Sequence, residues 1–270
     1  MRLITRTLAK GFGLGLLAAG VSVFPAFSAE LVLSPVAGES NTMAPADRVV
    51  RRVNFEQESA SPDARHVADW IVHANDNRQL PFVIVDKTQG KVFVFYADGR
   101  LRGAAPALLG LAVGDDAVPG IGERKLSSIR PEERTTPAGR FEASLDRNLK
   151  GGEILWVDYE TAISLHPVAT GNPRERRAER LATPSPGDNR ISFGCINVPA
   201  AFFKNVVSAA FQGTNGIVYV LPETRSPQQV FASYELAAPA ALLASNRDLP
   251  SSAPATVSGN GPSNTRLAER

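Results

Sequence analysis

Pro81–Arg100, PFVIVDKTQGKVFVFYADGR, holds two runs of β-branched and aromatic residues around a short turn. FVIVD and KVFVFYA have the composition of strands. KTQG, with Gly90, is long enough to turn one back on the other. A second turn, ADGR, follows, and APALLGLAVG supplies a candidate third strand. These segments predict a β-rich domain with its first hairpin at Pro81.

Working outward, the chain before the hairpin reads SPDARHVADWIVHAND. Ser61 suits an N-cap, Pro62 the first helical position, and Asp63 the positive end of a helix dipole. Ala64, Val67, Ala68 and Ile71 recur at helical spacing, so a helix is predicted over 61–80. After the hairpin, a polar loop from Gly114 to Pro137 leads to GRFEASL, EILWVDY and TAISLH, three more predicted strands. A second polar loop occupies 167–190. VPAAFFKNVVSAAF then reads as a helix presenting Phe203, Val206, Val207 and Ala210 on one face, and GIVYVL as a closing strand. The fold class is mainly β with a few helices (α+β), with a folded core over 61–225. Long loops inside a compact domain tend to carry function.

Both ends differ from this core. MRLITRTLAK carries three basic residues and no acid, an apolar run follows, and Ala26-Phe27-Ser28-Ala29 offers a cleavage site. Residues 1–28 therefore read as an export signal, too short in its apolar run for a spanning helix. Residues 29–60 read as a linker. From 226 to 270 the chain is rich in Ala, Pro, Ser and Asn, and a disordered tail is expected. The expected location is the periplasm or cell envelope, with no stable membrane span once the signal is cleaved. With 29 basic against 27 acidic residues, and no basic stripe interleaved with aromatics, nothing points to nucleic acid.

The single cysteine cannot form an internal disulfide, so it is a buried hydrophobe, an intermolecular linker or a reactive thiol. It lies in Arg190-Ile191-Ser192-Phe193-Gly194-Cys195-Ile196-Asn197-Val198-Pro199. A glycine directly before it permits a sharp turn that brings N–H groups near the sulfur, as acyl transfer through an oxyanion requires. A nucleophilic thiol also wants an imidazole in reach. Of three histidines, His66 and His73 belong to the N-terminal helix, while His166 ends TAISLH. Cys195 and His166 thus sit at the two ends of one loop, and pairing of the flanking segments would bring them together. His66, Asp69 and His73 share a helix face, but His66 and His73 are about 10.5 Å apart along the axis, too far for one zinc ion. That face is expected to be solvated. No metal and no cofactor is expected, and without a Ser-x-x-Lys pattern a serine penicillin-binding enzyme is disfavoured.

Ser192-Phe193-Gly194-Cys195-Ile196-Asn197 resembles the signature of the L,D-transpeptidase (YkuD-like) family, Ser/Thr-His-Gly-Cys-hydrophobic-Asn/Arg with a second histidine upstream. Thr136-Pro137-Ala138-Gly139-Arg140-Phe141 resembles the Thr-Pro-x-Gly-x-Phe stretch at a strand start in that family, and the 81–101 hairpin resembles its first hairpin. The resemblance spans about residues 81–222. It implies a β-sandwich catalytic domain over 81–225 acting on peptidoglycan stem peptides. Cys195 would be the nucleophile, His166 the base, and Gly194 a backbone oxyanion donor. Ser192, Phe193, Asn197 and Arg190 would bind substrate. The base's own partner is expected to be a backbone carbonyl.

Two departures stand out. Phe193 replaces the motif's own histidine, and the 167–191 segment is longer than the family's pattern. Its five arginines against three acids, over 172–190, form a short lid helix through Arg174–Arg180 or a mobile loop. Most of these arginines are expected to be solvated and self-paired, with one or two free to clamp a substrate carboxylate. Three readings follow: an exported cross-linking transpeptidase, the same site used hydrolytically as an L,D-carboxypeptidase or peptidoglycan amidase, or an inactive peptidoglycan-binding protein.

Overall fold

The structure, a computed structural model, describes residues 52–236. The expected export signal, most of the linker (29–51) and the tail from 237 onward lie outside the described residues.

Ser61 caps the first helix, α1 (Pro62–Ala74), its hydroxyl accepting from the Ala64 N–H at 3.1 Å. β1 (Phe82–Asp86) and β2 (Lys91–Phe95) form the expected antiparallel hairpin. β3 runs from Leu101 to Pro106 and β4 covers only Leu109–Gly110, so the third strand starts earlier than expected and is interrupted at 107–108. The 114–137 loop holds only short 3₁₀ turns. β5 (Gly139–Arg147), β6 (Glu153–Asp158) and β7 (Ile163–Pro167) make an antiparallel meander. The segment between β7 and β8 contains a 3₁₀ turn, Pro173–Glu175, and the short helix α2 (Arg177–Ala182). Then come β8 (Arg190–Ser192), β9 (Ile196–Val198), and a helix over 200–211 that begins as α3 (Ala200–Phe202). It widens to π geometry over Phe203–Ser208 and ends as α4 (Ala209–Phe211). β10 (Gly216–Val220) and α5 (Pro227–Phe231) complete the described chain.

Eight strands make one sheet in the order β3-β2-β1-β10-β5-β6-β7-β9. β10, the last strand in sequence, lies at the centre, parallel to β1 and antiparallel to β5. At one end, β9 exchanges backbone hydrogen bonds with Leu108 just beyond β3, so the sheet curls almost onto itself. Period-two alternation divides its two faces. Val83, Val85, Val92, Val94, Val218 and Val220 face inward onto β5–β9 and the 200–211 helix. Phe82, Ile84, Phe93, Phe95, Ile217 and Tyr219 face α1, where Trp70 stands edge-on to Tyr219. Coverage on both sides explains why β1 is apolar nearly throughout rather than alternating. The two halves of this curled sheet enclose the main core, and β4 and β8 form a separate two-stranded pair.

Order extends beyond the expected 61–225 core. Phe55 packs edge-on against Phe93 and Phe95, so the last linker residues belong to the core. Where a tail was expected from 226, α5 stacks Phe231 on Trp70. Residues 233–235 then cover the α1 face expected to be solvated: His66 contacts Ser233 and Glu235, and His73 contacts Tyr234. Asp69 accepts from Arg52 and the Val53 amide.

Candidate active site

β7 and β9 pair in parallel, with His166 opposite Asn197 and Leu165 opposite Ile196. This register places Cys195, one residue before β9, beside β7, the strand that carries His166. Each end of the long loop is thereby fixed by sheet hydrogen bonds.

The His166 Nδ1 lies 2.8 Å from the Pro167 carbonyl. A carbonyl only accepts, so Nδ1 carries the hydrogen and Nε2 is left with its lone pair, the tautomer a base needs. The expected backbone-carbonyl partner is thus Pro167. The Cys195 sulfur lies 3.7 Å from both the Ser164 Oγ and the Ala162 carbonyl oxygen. Burial pushes the thiol's pKa up, but hydrogen bonding to His166, the imidazole's charge and Ser164 together outweigh it and hold the thiol below its ordinary value. For His166 burial acts downward. Hydrogen bonding to Cys195 and the thiolate's charge, with help from the Pro167 carbonyl, prevail and raise the imidazole. Raised imidazole and lowered thiol together favour a thiolate–imidazolium pair.

The turn before the cysteine is locked from several sides. Gly194 has φ +129°, and a Cβ there would lie 2.6 Å from Ile163 Cδ1 and 2.7 Å from the Thr135 carbonyl oxygen. Only glycine fits. Its N–H donates to Ser192 Oγ at 3.0 Å, so Gly194 is not an oxyanion donor as expected. Among the described residues no acceptor takes the Cys195 N–H. Ser192 donates in turn to the Cys195 carbonyl at 2.7 Å, and the Asn197 Nδ2 donates to the same carbonyl at 3.1 Å. Ser192 and Asn197 are both buried, so they shape the turn instead of facing substrate. Arg190 also turns away: it forms an ion pair with Glu223 and donates to the Lys87 carbonyl. Of the four residues expected to bind substrate, Phe193 alone lines the cleft, with the Arg134 guanidinium 4.0 Å from its ring centroid.

Sequence reasoning missed the second layer. Thr136 is fully buried. Its hydroxyl donates to the Gly194 carbonyl and accepts from the Gly110 N–H, each at 2.8 Å. Lys87, read as a turn residue, is fully buried and donates to Asp115 and to the carbonyls of Gly114 and Thr136. Asp115 accepts from the backbone of Glu223, Thr224 and Arg225, tying the loop root to the end of β10. For Thr136 the Thr-Pro motif was a signal; for Lys87 no signal existed.

Two cavities meet at the pair. A narrow cleft of about 70 Å³ lies between Cys195 and Phe193 on one side and Ile121, Leu126 and Ile129 of the 114–137 loop on the other. An open groove of about 910 Å³, lined by His166, Pro167, Leu149, Ile154, Lys150 and Lys204, approaches the histidine. Leu126 borders both and is largely exposed. No set of three His, Cys, Asp or Glu side chains among the described residues is arranged to hold a metal ion. None of the described helices is long and apolar enough to cross a membrane. The arginines between β7 and β8 are mostly self-paired: Arg176 with Glu179, Arg177 with Glu175, and Arg180 with the carbonyls of Glu175 and Asp188.

No family model matches the chain, and no curated protein matches it. Among solved structures it is similar to the helical cell shape determining protein Pgp2 from Campylobacter jejuni, at 17% identity and TM-score 0.36. That match covers 54% of this chain and 49% of the other, so the chain spans about half the length of Pgp2. It is also similar to an L,D-transpeptidase from Xylanimonas cellulosilytica, at 13% identity and TM-score 0.33, covering 52% and 60%. A third similarity is to the catalytic domain of the E. faecium L,D-transpeptidase, at 17% identity and TM-score 0.31, covering 53% of this chain and 98% of that one.

Proposed function

We propose that the protein is an exported L,D-transpeptidase-like acyltransferase that cross-links peptidoglycan stem peptides through a Cys195 thioester. The observation that carries this reading is the β7–β9 register, which sets Cys195 next to a His166 oriented by the Pro167 carbonyl, beside a turn that leaves the Cys195 N–H without an acceptor. The thiolate attacks the carbonyl joining the third stem residue to the terminal D-alanine. The Cys195 N–H faces the developing oxyanion. As the tetrahedral intermediate collapses, the C–N bond breaks, and His166 gives its Nε2 proton to the leaving amine. An amine of a second stem then attacks the thioester, losing its proton to His166 and releasing the thiolate. The narrow cleft on the sulfur side suits the acyl donor. The groove on the imidazole side suits the incoming amine, because that amine must meet the base.

Incubating the mature protein with disaccharide-tetrapeptide, beside Cys195→Ala, and weighing the products tests this. Cross-linked dimers that depend on Cys195 are expected. Tripeptide without dimers assigns the thioester to water and the hydrolytic reading. Untouched tetrapeptide, with an ordinary thiol, leaves a binding protein. Export is tested by the mature N-terminus, expected after Ser28 or Ala29.

A further inference from the structure

Arg177 stands apart from the other arginines of the inserted segment. It opens α2 in a segment that lengthens the connection between β7 and β8, yet its side chain is only 13% exposed. Its Nη1 donates to the Asn197 Oδ1 at 2.7 Å. That contact leaves the Asn197 amide one orientation, with Nδ2 turned to the Cys195 carbonyl. Glu175 takes the Arg177 Nε, which holds the guanidinium in place. Asn197 is fully buried and lies directly opposite His166 in the β7–β9 ladder. The guanidinium is therefore anchored on the residue that both braces the nucleophile's carbonyl and flanks the base.

We propose that Arg177 is a positioning residue for the Cys195–His166 pair, through which the inserted segment fixes the nucleophile's backbone and sets a cation beside the base. This rests on the catalytic reading of that pair. The cation opposes protonation of His166, against the upward pull of Cys195. Other charged groups face the histidine less directly. Lys150, from the β5–β6 turn, Glu153, at the start of β6, and Lys204, from the 200–211 helix, line the open groove and are solvent-exposed. Arg124, over the sulfur-side cleft, is paired with Glu133. A deeply set charge is screened less than these exposed ones. Removing it raises the proton affinity of the pair as a whole, because every protonation step then proceeds against one less positive charge.

The test is the pH dependence of Cys195 alkylation by iodoacetamide, followed by intact mass on the mature protein. It needs no cell-wall substrate. Wild type should show an acid limb below the ordinary thiol range that vanishes in His166→Ala. Arg177→Gln can keep the hydrogen bond to Asn197 but loses the charge, and it should move the limb up by about half a pH unit, a roughly threefold slower reaction on that limb. Arg177→Lys should hold the limb near its wild-type position. Arg174→Ala, at an exposed arginine of the same segment, should leave the profile unchanged. Superimposable Gln and wild-type profiles, or a Lys variant displaced as far as Gln, would overturn the role of Arg177 while leaving the pair intact. A wild-type limb indifferent to His166→Ala would overturn the pair, and the inference with it.

Discussion

Replacing Thr136 by valine removes one hydroxyl at nearly constant shape and strands two buried groups. The Gly194 carbonyl loses its donor and the Gly110 N–H loses its acceptor, both at 2.8 Å in the intact protein and both beyond the reach of water. An unsatisfied buried polar group costs about 1–3 kcal/mol, so two such groups, partly relieved by relaxation, give roughly 3 kcal/mol. For a domain of this size that corresponds to a melting temperature lower by about 6–12 °C. Thr136→Ser keeps the hydroxyl and gives up only a methyl group, near 1 kcal/mol. The pair of variants thus separates hydrogen bonding from packing. Thermal unfolding measures the stability difference, and iodoacetamide alkylation at fixed pH reports on the Cys195 turn. Valine should unfold earlier and alter the alkylation rate, while serine stays close to wild type on both. If valine matched serine in stability and reactivity, Thr136 would not be what holds the turn.

Gly194→Ala forces a Cβ into Ile163 and the Thr135 carbonyl at a backbone angle alanine rarely adopts, so the cross-linking proposed above should fall about a hundredfold. A variant with near-wild-type turnover would show that the turn is not rigid. Acid stability offers a second check, through Asp115. Burial raises its pKa, but hydrogen bonds from Thr224, Lys87 and the backbone of Glu223 and Thr224 outweigh this and hold it well below the carboxylate range. A depressed carboxylate contributes stability in full above its unfolded pKa of about 4, and that contribution is lost as pH falls further. Melting temperature should therefore drop steeply below about pH 4, and Asp115→Asn should flatten the slope. An unchanged slope in that variant would assign the acid sensitivity elsewhere, for example to Glu133, held low first by Arg124 and then by Arg130.

What the sequence disclosed follows the range of the interaction involved. Hairpin β1–β2 and the Ser61 cap depend on residues a few positions apart, and their pattern is visible without any partner. The central place of β10 depends on pairing with β1 across most of the chain, and nothing local in GIVYVL distinguishes a central strand from an edge. The same division runs through the site. Cys195 and His166 were recognisable by type, because one cysteine and three histidines leave few combinations. Ser192, Asn197 and Arg190 do not face the cleft as expected, because adjacency to Cys195 does not say which way a side chain points: the turn at Gly194 directs the first two inward, and Glu223 draws the third away. A buried lysine such as Lys87 looks in sequence like any turn lysine, since its ion partners lie about 28 and 136 positions downstream.

The position of β10 also sets the order in which the protein can be assembled. Until Gly216–Val220 emerge, β1 and β5 each have an unpaired edge at the place β10 will fill. Local hairpins form early, whereas the parallel β1–β10 seam must wait for almost the whole domain and close a very long loop. Until then the nascent chain exposes two edges able to pair with other chains. Cys195 and His166 sit on strands distal to that seam, held by the β7–β9 ladder and by Thr136, whereas the contacts of Asp115 with Glu223, Thr224 and Arg225 form only once the last strand is in. Cys195 and His166 can therefore be brought together before the root of the neighbouring loop is tied down at Asp115.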